Sequence, residues 1–177
     1  MVFDKMKNLQ NIFRRVFEEN YTLLMKVVYR ITGREDLAEE IVQETMIKFY
    51  ERIEQLPHDE TIRYWLLRVA RNLALNYEKR RQRENAINRK LIQDENTFDS
   101  ETADTKLIKK FEKSLVQKAL MDLPFNLRVV LVLKEYFKFS YEEIGQALGI
   151  TENNVKVRIH RARLALASRL KQGVLNG

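Results

Sequence analysis

Asn153, Asn154, Lys156, Arg158, His160, Arg161 and Arg163 fall in one short run of the chain, which mixes amides, an imidazole and strong bases. Such groups can hydrogen-bond base edges, and the lysine and arginines can also neutralise phosphates. This chemistry needs a rigid support that holds the polar side chains outward. Ser140 and Glu143 have the spacing of a capping box that starts one helix, Gly149 can supply the positive φ that ends it, and Thr151 can cap the next. Ile144, Leu148, Ile150, Val155 and Ile159 are spaced to turn inward, which leaves the basic set and Val157 on the outer face. The pattern is a helix-turn-helix whose second helix suits the major groove of DNA.

Composition sets the frame. The 177 residues carry only five Gly and two Pro, with abundant Leu, Ala, Glu, Lys and Arg, so an all-α chain is expected. There is no Cys and only two isolated His, which excludes a disulfide framework and a thiolate site and leaves no set for a metal centre. No apolar leader follows the start, and the longest apolar run, Val129 to Leu133, is too short to span a bilayer. A cytoplasmic protein without cofactor is expected. The net charge of +7 is uneven: residues 1–82 carry +2 and residues 113–177 carry +6. A polyanion is therefore expected at the C-terminal end.

Helical stripes organise the rest. Phe13, Phe17, Tyr21, Leu24, Val28 and Ile31 mark a first helix over Phe13–Thr32, stopped by Gly33. Leu37, Ile41, Met46 or Thr45, Ile47 or Lys48, and Phe49 mark a looser second over Glu35–Ile53, ended by the Leu56-Pro57-His58-Asp59-Glu60 break. A third, Thr61–Arg83, turns Ile62, Trp65, Leu66, Val69, Leu73 and Tyr77 inward, with Trp65 read as core. Its other face holds Arg63, Arg68, Arg71, Asn72, Asn76, Lys79, Arg80 and Arg81. That mixture can grip phosphates and unpaired bases. Gln93–Thr105 has five acids and no base, the composition of a flexible linker. Beyond it, Leu107, Phe111 and Leu115 start a new stripe, Leu123-Pro124 interrupts, and Leu127–Lys138 forms the helix before the helix-turn-helix. Asp36, Glu40, Gln43 and Glu44 share a polar surface of the second helix, for which a solvated face is the default explanation.

Four pieces stand in order: Val42-Gln43-Glu44 with Phe49-Tyr50; Trp65 to Asn72; Asp122-Leu123-Pro124; and Ser140 to Gly145 with Arg158 to Arg163. Together they resemble the extracytoplasmic-function (ECF) group of bacterial sigma factors, over roughly residues 13–83 and 112–171. The resemblance implies two small helical domains joined by a flexible acidic linker. These are a sigma-2-like domain over 1–85, a linker over 86–111 and a sigma-4-like domain over 112–177. It implies a transcription initiation factor, not an enzyme, that directs core RNA polymerase to promoter DNA. Asp36, Glu40, Gln43 and Glu44 would contact the polymerase. His58 and Asp59 would lie in the loop that captures a base flipped from the −10 element, with Arg63, Arg68, Arg71, Asn72 and Asn76 facing the DNA there. Asn153, Asn154, Lys156, Arg158, His160, Arg161 and Arg163 would read the −35 element. A free monomer that binds promoter poorly, and an anti-sigma factor, membrane-bound in many family members, are further implications. Gly145 departs from the Ala usual in the family. The competing reading from a different mechanism is a homodimeric helix-turn-helix repressor, which needs a dimerisation surface and a two-fold operator.

Overall fold

The computed structural model describes the backbone of residues 2–91 and 115–175, with side chains over 5–84 and 115–171. Among the described residues every regular element is helical. They are α1 (Val2–Thr32), α2 (Glu35–Arg52), α3 (Ile62–Leu91), α4 (residues 115–121), α5 (Phe125–Leu131), α6 (Tyr141–Leu148) and α7 (Glu152–Leu175). A π-helical turn, Val132–Tyr136, continues α5. Two elements outrun their stripes. The first helix starts at Val2 rather than Phe13, because Leu9 and Ile12 also pack on the core. The third reaches Leu91 rather than Arg83, helped by an Arg80–Glu84 ion pair at 3.1 Å one turn apart. The acidic stretch Gln93–Thr105 lies outside the described residues.

The first three helices pack as a bundle around Val16, Leu24, Val28, Ile31, Leu37, Ile41, Val42, Phe49, Ile62 and Leu66, all buried. The inward face of α1 is rotated from the aromatic stripe. Val16, Asn20 and Val27 are buried, whereas Phe13, Phe17 and Tyr21 stack along the edge, with Phe17 exposed. Asn20 is accommodated because its amide donates to the Val16 carbonyl at 2.8 Å. Trp65 is half-buried against Phe49, as a core residue would be.

The C-terminal unit, α4 to α7, buries Val129 to Leu133, Ile144, Val155, Ile159 and Ala162. It also packs on the first unit, an arrangement that a tethered pair of domains does not require. Val27, Val28 and Ile31 of α1, Leu67, Ala70 and Arg71 of α3, and Val129, Leu133 and Leu148 line one small enclosed void. The two units therefore share a continuous core. On α3 this buries Leu67, Ala70 and Ala74, while Val69, Leu73 and Tyr77 of the expected stripe stay half-buried.

Arg128 of α5 sits in that junction, 2% exposed. Nη1 donates to the Ile31 carbonyl at 2.7 Å, and Nη2 donates to the Met121 and Leu123 carbonyls at 2.7 and 3.1 Å. Glu78 of α3, also buried, stands 3.9 Å from Nη2. Burial pushes the guanidinium pKa down, and Glu78 partly restores it. One side chain thus satisfies a carbonyl in the last turn of α1 and the chain entering α5 together.

The turn between α6 and α7 explains the glycine at 145. A Cβ there would stand 2.8 Å from the Ile150 backbone oxygen. Gly145→Ala gains about 1 kcal/mol of helix propensity but forces the turn apart at a cost of roughly 1–3 kcal/mol. We expect net destabilisation, read as a lower urea midpoint; a raised midpoint would show that the turn yields freely.

Candidate nucleic-acid interface

The helix-turn-helix is built as its local chemistry demands. Ser140 Oγ accepts from the Glu143 N–H at 3.0 Å, and Glu143 Oε2 accepts from the Ser140 N–H at 2.7 Å, completing the capping box. The Ser140 N–H first, then the Ser140 and Tyr64 hydroxyls and the Arg63 charge, hold the Glu143 carboxyl below its usual pKa against a smaller opposing effect of burial. Gly149, at φ +68°, returns its N–H to the Gly145 carbonyl at 2.8 Å. Thr151 Oγ1 then accepts from the Asn154 N–H at 3.3 Å to start α7. With Val155, Ile159 and Ala162 buried, Asn153, Asn154, Lys156, Val157, His160, Arg161 and Arg163 are exposed on α7, and Arg158 is half-buried.

Two of these bases already hold carboxylates. Lys156 Nζ lies 2.8 Å from Glu152, and Arg163 makes a forked contact with Glu135 at 3.0 and 2.7 Å. Hydrogen bonding to those carboxylates raises both pKa values. Solvent screens exposed pairs of this kind, so a phosphate can displace the carboxylate at little cost.

On α3 the basic face is engaged by the C-terminal unit. Arg63 lies 3.5 Å from Glu143 and over the rings of Tyr64 and Phe139, and the Tyr64 hydroxyl reaches the same carboxylate at 3.3 Å. Arg68 donates to the Gln146 carbonyl near the end of α6, where a cation complements the helix dipole. Arg71 donates to Asn126 at 2.9 Å and to Asn72 at 2.8 Å. Desolvation lowers the Arg71 pKa first, and the nearby Arg158 charge adds to it. Asn72 and Asn76 are exposed. In the preceding loop, His58 is half-buried with Nε2 2.5 Å from the Ile53 carbonyl, and its own carbonyl accepts from Arg15 at 2.7 Å. Asp59 accepts from the Thr61 hydroxyl and N–H, the latter at 2.9 Å, which lowers its carboxyl pKa and fixes the start of α3.

Asp36, Glu40, Gln43 and Glu44 are all exposed on α2. Asp36 pairs with Arg34, Gln43 reaches Glu39 at 3.4 Å, and Glu44 pairs with Lys48 at 3.3 Å.

Residues 16–84 match the model for sigma-70 region 2, and residues 113–166 match the model for sigma-70 region 4. The chain belongs to the sigma-70 family. Its relatives place it in the ECF group: it is 29% identical over 172 residues to the ECF RNA polymerase sigma factor SigW of Bacillus subtilis, covering 93% of this chain and 92% of SigW. SigM of the same organism is 29% identical over 163 residues, covering 89% of this chain and 96% of SigM. The fold is similar to that of the sigma factor RpoE in complex with the anti-sigma factor NepR from Bartonella quintana. That match has 22% identity and a TM-score of 0.62, and covers 95% of this chain and 97% of the other. CnrH in complex with the cytosolic domain of CnrY matches at 21% identity and a TM-score of 0.67, covering 92% of this chain and 90% of the other. The protein is thus an alternative sigma factor that directs RNA polymerase to promoters, not an enzyme.

Sequence reasoning missed two parts of this sigma factor's surface. Ile47, offered with Lys48 as a stripe position, is 58% exposed, and Tyr50 is 56% exposed. Both follow Gln43 at helical spacing, by four and seven residues, so they share the acidic face of α2. Their spacing held the signal, but apolar residues are assigned inward by default. The second omission is the partnership of Arg63, Arg68 and Arg71 with Glu143, Gln146 and Asn126, which no local pattern announces. Among the described residues there is no acid or imidazole cluster able to hold a metal ion, and no helix long and apolar enough to cross a membrane.

Proposed function

We propose that this ECF sigma factor divides promoter recognition between its two units, residues 1–85 serving the −10 element and residues 112–177 the −35 element, with 86–111 as linker. The observation that carries the reading is α7: a capped, glycine-terminated turn presents Lys156, His160 and Arg161 outward on a helix of major-groove dimensions. In this reading Asn153, Asn154, Lys156, His160 and Arg161 meet bases, while Arg158 and Arg163 meet phosphates. Val157, 48% exposed on the same face, suits a thymine methyl group. Arg63, Arg68, Arg71, Asn72 and Asn76 face the −10 strand, and the His58–Asp59 loop takes its extruded base. Unstacking a base costs a few kcal/mol, which binding in that loop offsets. Tethering both contacts on one polymerase raises their effective concentration.

The exposed face of α2 is the polymerase contact, through Asp36, Glu40, Gln43 and Glu44 with Ile47 and Tyr50 among them. A patch of acids around two large apolar side chains provides both buried area and orientation. The variant Gln43→Ala/Glu44→Ala should weaken competition for core polymerase while leaving promoter preference unchanged; undiminished competition removes this role. The protein acts in the cytoplasm, as a monomer when free. An anti-sigma factor is a further partner, supported by the similar structure of the sigma factor RpoE in complex with the anti-sigma factor NepR.

Run-off transcription with purified core polymerase on a library of genomic fragments tests the whole reading. New starts sharing upstream −35 and −10 elements are expected. Failure to direct any start, with binding of the protein alone to a symmetric site, returns the repressor.

A further inference from the structure

Lys5 and Arg15 precede the region 2 match, which begins at residue 16, yet both reach the chain between α2 and α3. Arg15 Nη2 donates to the His58 carbonyl at 2.7 Å, and Lys5 Nζ lies 3.0 Å from Glu54. The early turns of α1, ahead of the aromatic stripe, can reach that far because Leu9 and Ile12 seat them on the core. We propose that Arg15 is a positioning residue for base capture, holding the backbone of the His58–Asp59 loop in the form that takes the extruded base. This rests on the assignment of that base to the loop made above.

The loop is fixed at its ends and exposed at its tip. Ile53 and Ile62 are buried, and Leu56 packs on the core, whereas Pro57 and Asp59 are exposed. The bonds made by the two capture side chains stay local. The His58 ring turns back on Ile53, with Nε2 2.5 Å from its carbonyl; a carbonyl only accepts, so this nitrogen carries the proton. Asp59 accepts from Thr61. Both bonds would travel with the loop if it swung away from the core. The Arg15 bond would not, because it ties the peptide unit between His58 and Asp59 to a different helix, one anchored beside Arg15 by the buried Val16. Fixing that peptide plane aims both side chains at once. A loop ordered in advance does not lose backbone entropy when the base arrives.

The test uses the full chain on core polymerase and single-stranded −10 oligonucleotides of a promoter identified by run-off. Abasic sites introduced one position at a time locate the captured base: its removal weakens binding of the unsubstituted protein but not of His58→Ala/Asp59→Ala. Arg15→Ala should bind the intact oligonucleotide about fivefold less tightly, since apparent affinity scales with the fraction of loops already in the capturing form. It should bind the oligonucleotide lacking that base as tightly as the unsubstituted protein does. Arg15→Lys should recover part of the loss, because an ammonium can still donate to the His58 carbonyl. Arg15 is exposed, so the alanine variant should keep its fold and compete normally for core polymerase. An equal loss on both oligonucleotides would mean that Arg15 grips the strand itself, which overturns the positioning role, as does no loss on either. If no abasic position carries a penalty that depends on His58 and Asp59, the assignment of the loop fails, and the brace with it.

Discussion

Arg128→Ala should remove about 3–5 kcal/mol of folding free energy, the cost of breaking a buried charged cluster from one side. With typical domains stable by only about 5–15 kcal/mol, that is a large share of the total. The side chain donates to three carbonyls and stands by Glu78, and truncation takes the guanidinium from all three carbonyls at the junction, whereas Glu78 keeps Arg81 and Gln82. Arg128→Lys should lose less than Arg128→Met, since an ammonium can still reach some of the carbonyls whereas a thioether reaches none. Denaturant unfolding followed by circular dichroism measures the series. A cost under about 1 kcal/mol for the alanine variant would show that water replaces the guanidinium freely.

The second large effect belongs to α7. Arg161→Ala and Lys156→Ala should each lower run-off transcription from the cognate promoter by a base-readout penalty of about 1–3 kcal/mol, or roughly 5- to 150-fold. The lysine carries an extra liability. Its loss leaves the Glu152 carboxylate, now 2.8 Å from the ammonium, facing the DNA without its cation. Arg163→Ala should instead weaken binding to all sequences alike and reduce the salt slope by about one. Full transcription from both readout variants would place the reading surface elsewhere on the chain.

The helix-turn-helix was legible because its determinants are local. Ser140, Glu143, Gly149 and Thr151 each act within a few residues of themselves, and the structure places each in its expected role. The polar face of α2 was equally readable from spacing. The buried face of α3 was not. Leu67, Ala70 and Ala74 look unremarkable beside Trp65, Val69 and Leu73, yet small residues let α6 approach closely, so the weaker stripe became the more buried one. Arg128 was invisible for the same reason: beside a run of valines and leucines, a lone arginine gives no hint that the distant Ile31 carbonyl will meet it together with the nearby Met121 and Leu123 carbonyls. Position in the chain specifies caps and faces; it does not specify which face another unit will cover.

The continuous core across the two units ties their thermal robustness together. Any substitution that tightens the packing of Val129, Leu133 or Leu148 against α1 and α3 would raise one shared melting transition, and one that loosens it would lower that transition for both units at once. The fold that carries one half of this factor therefore cannot be weakened without weakening the other.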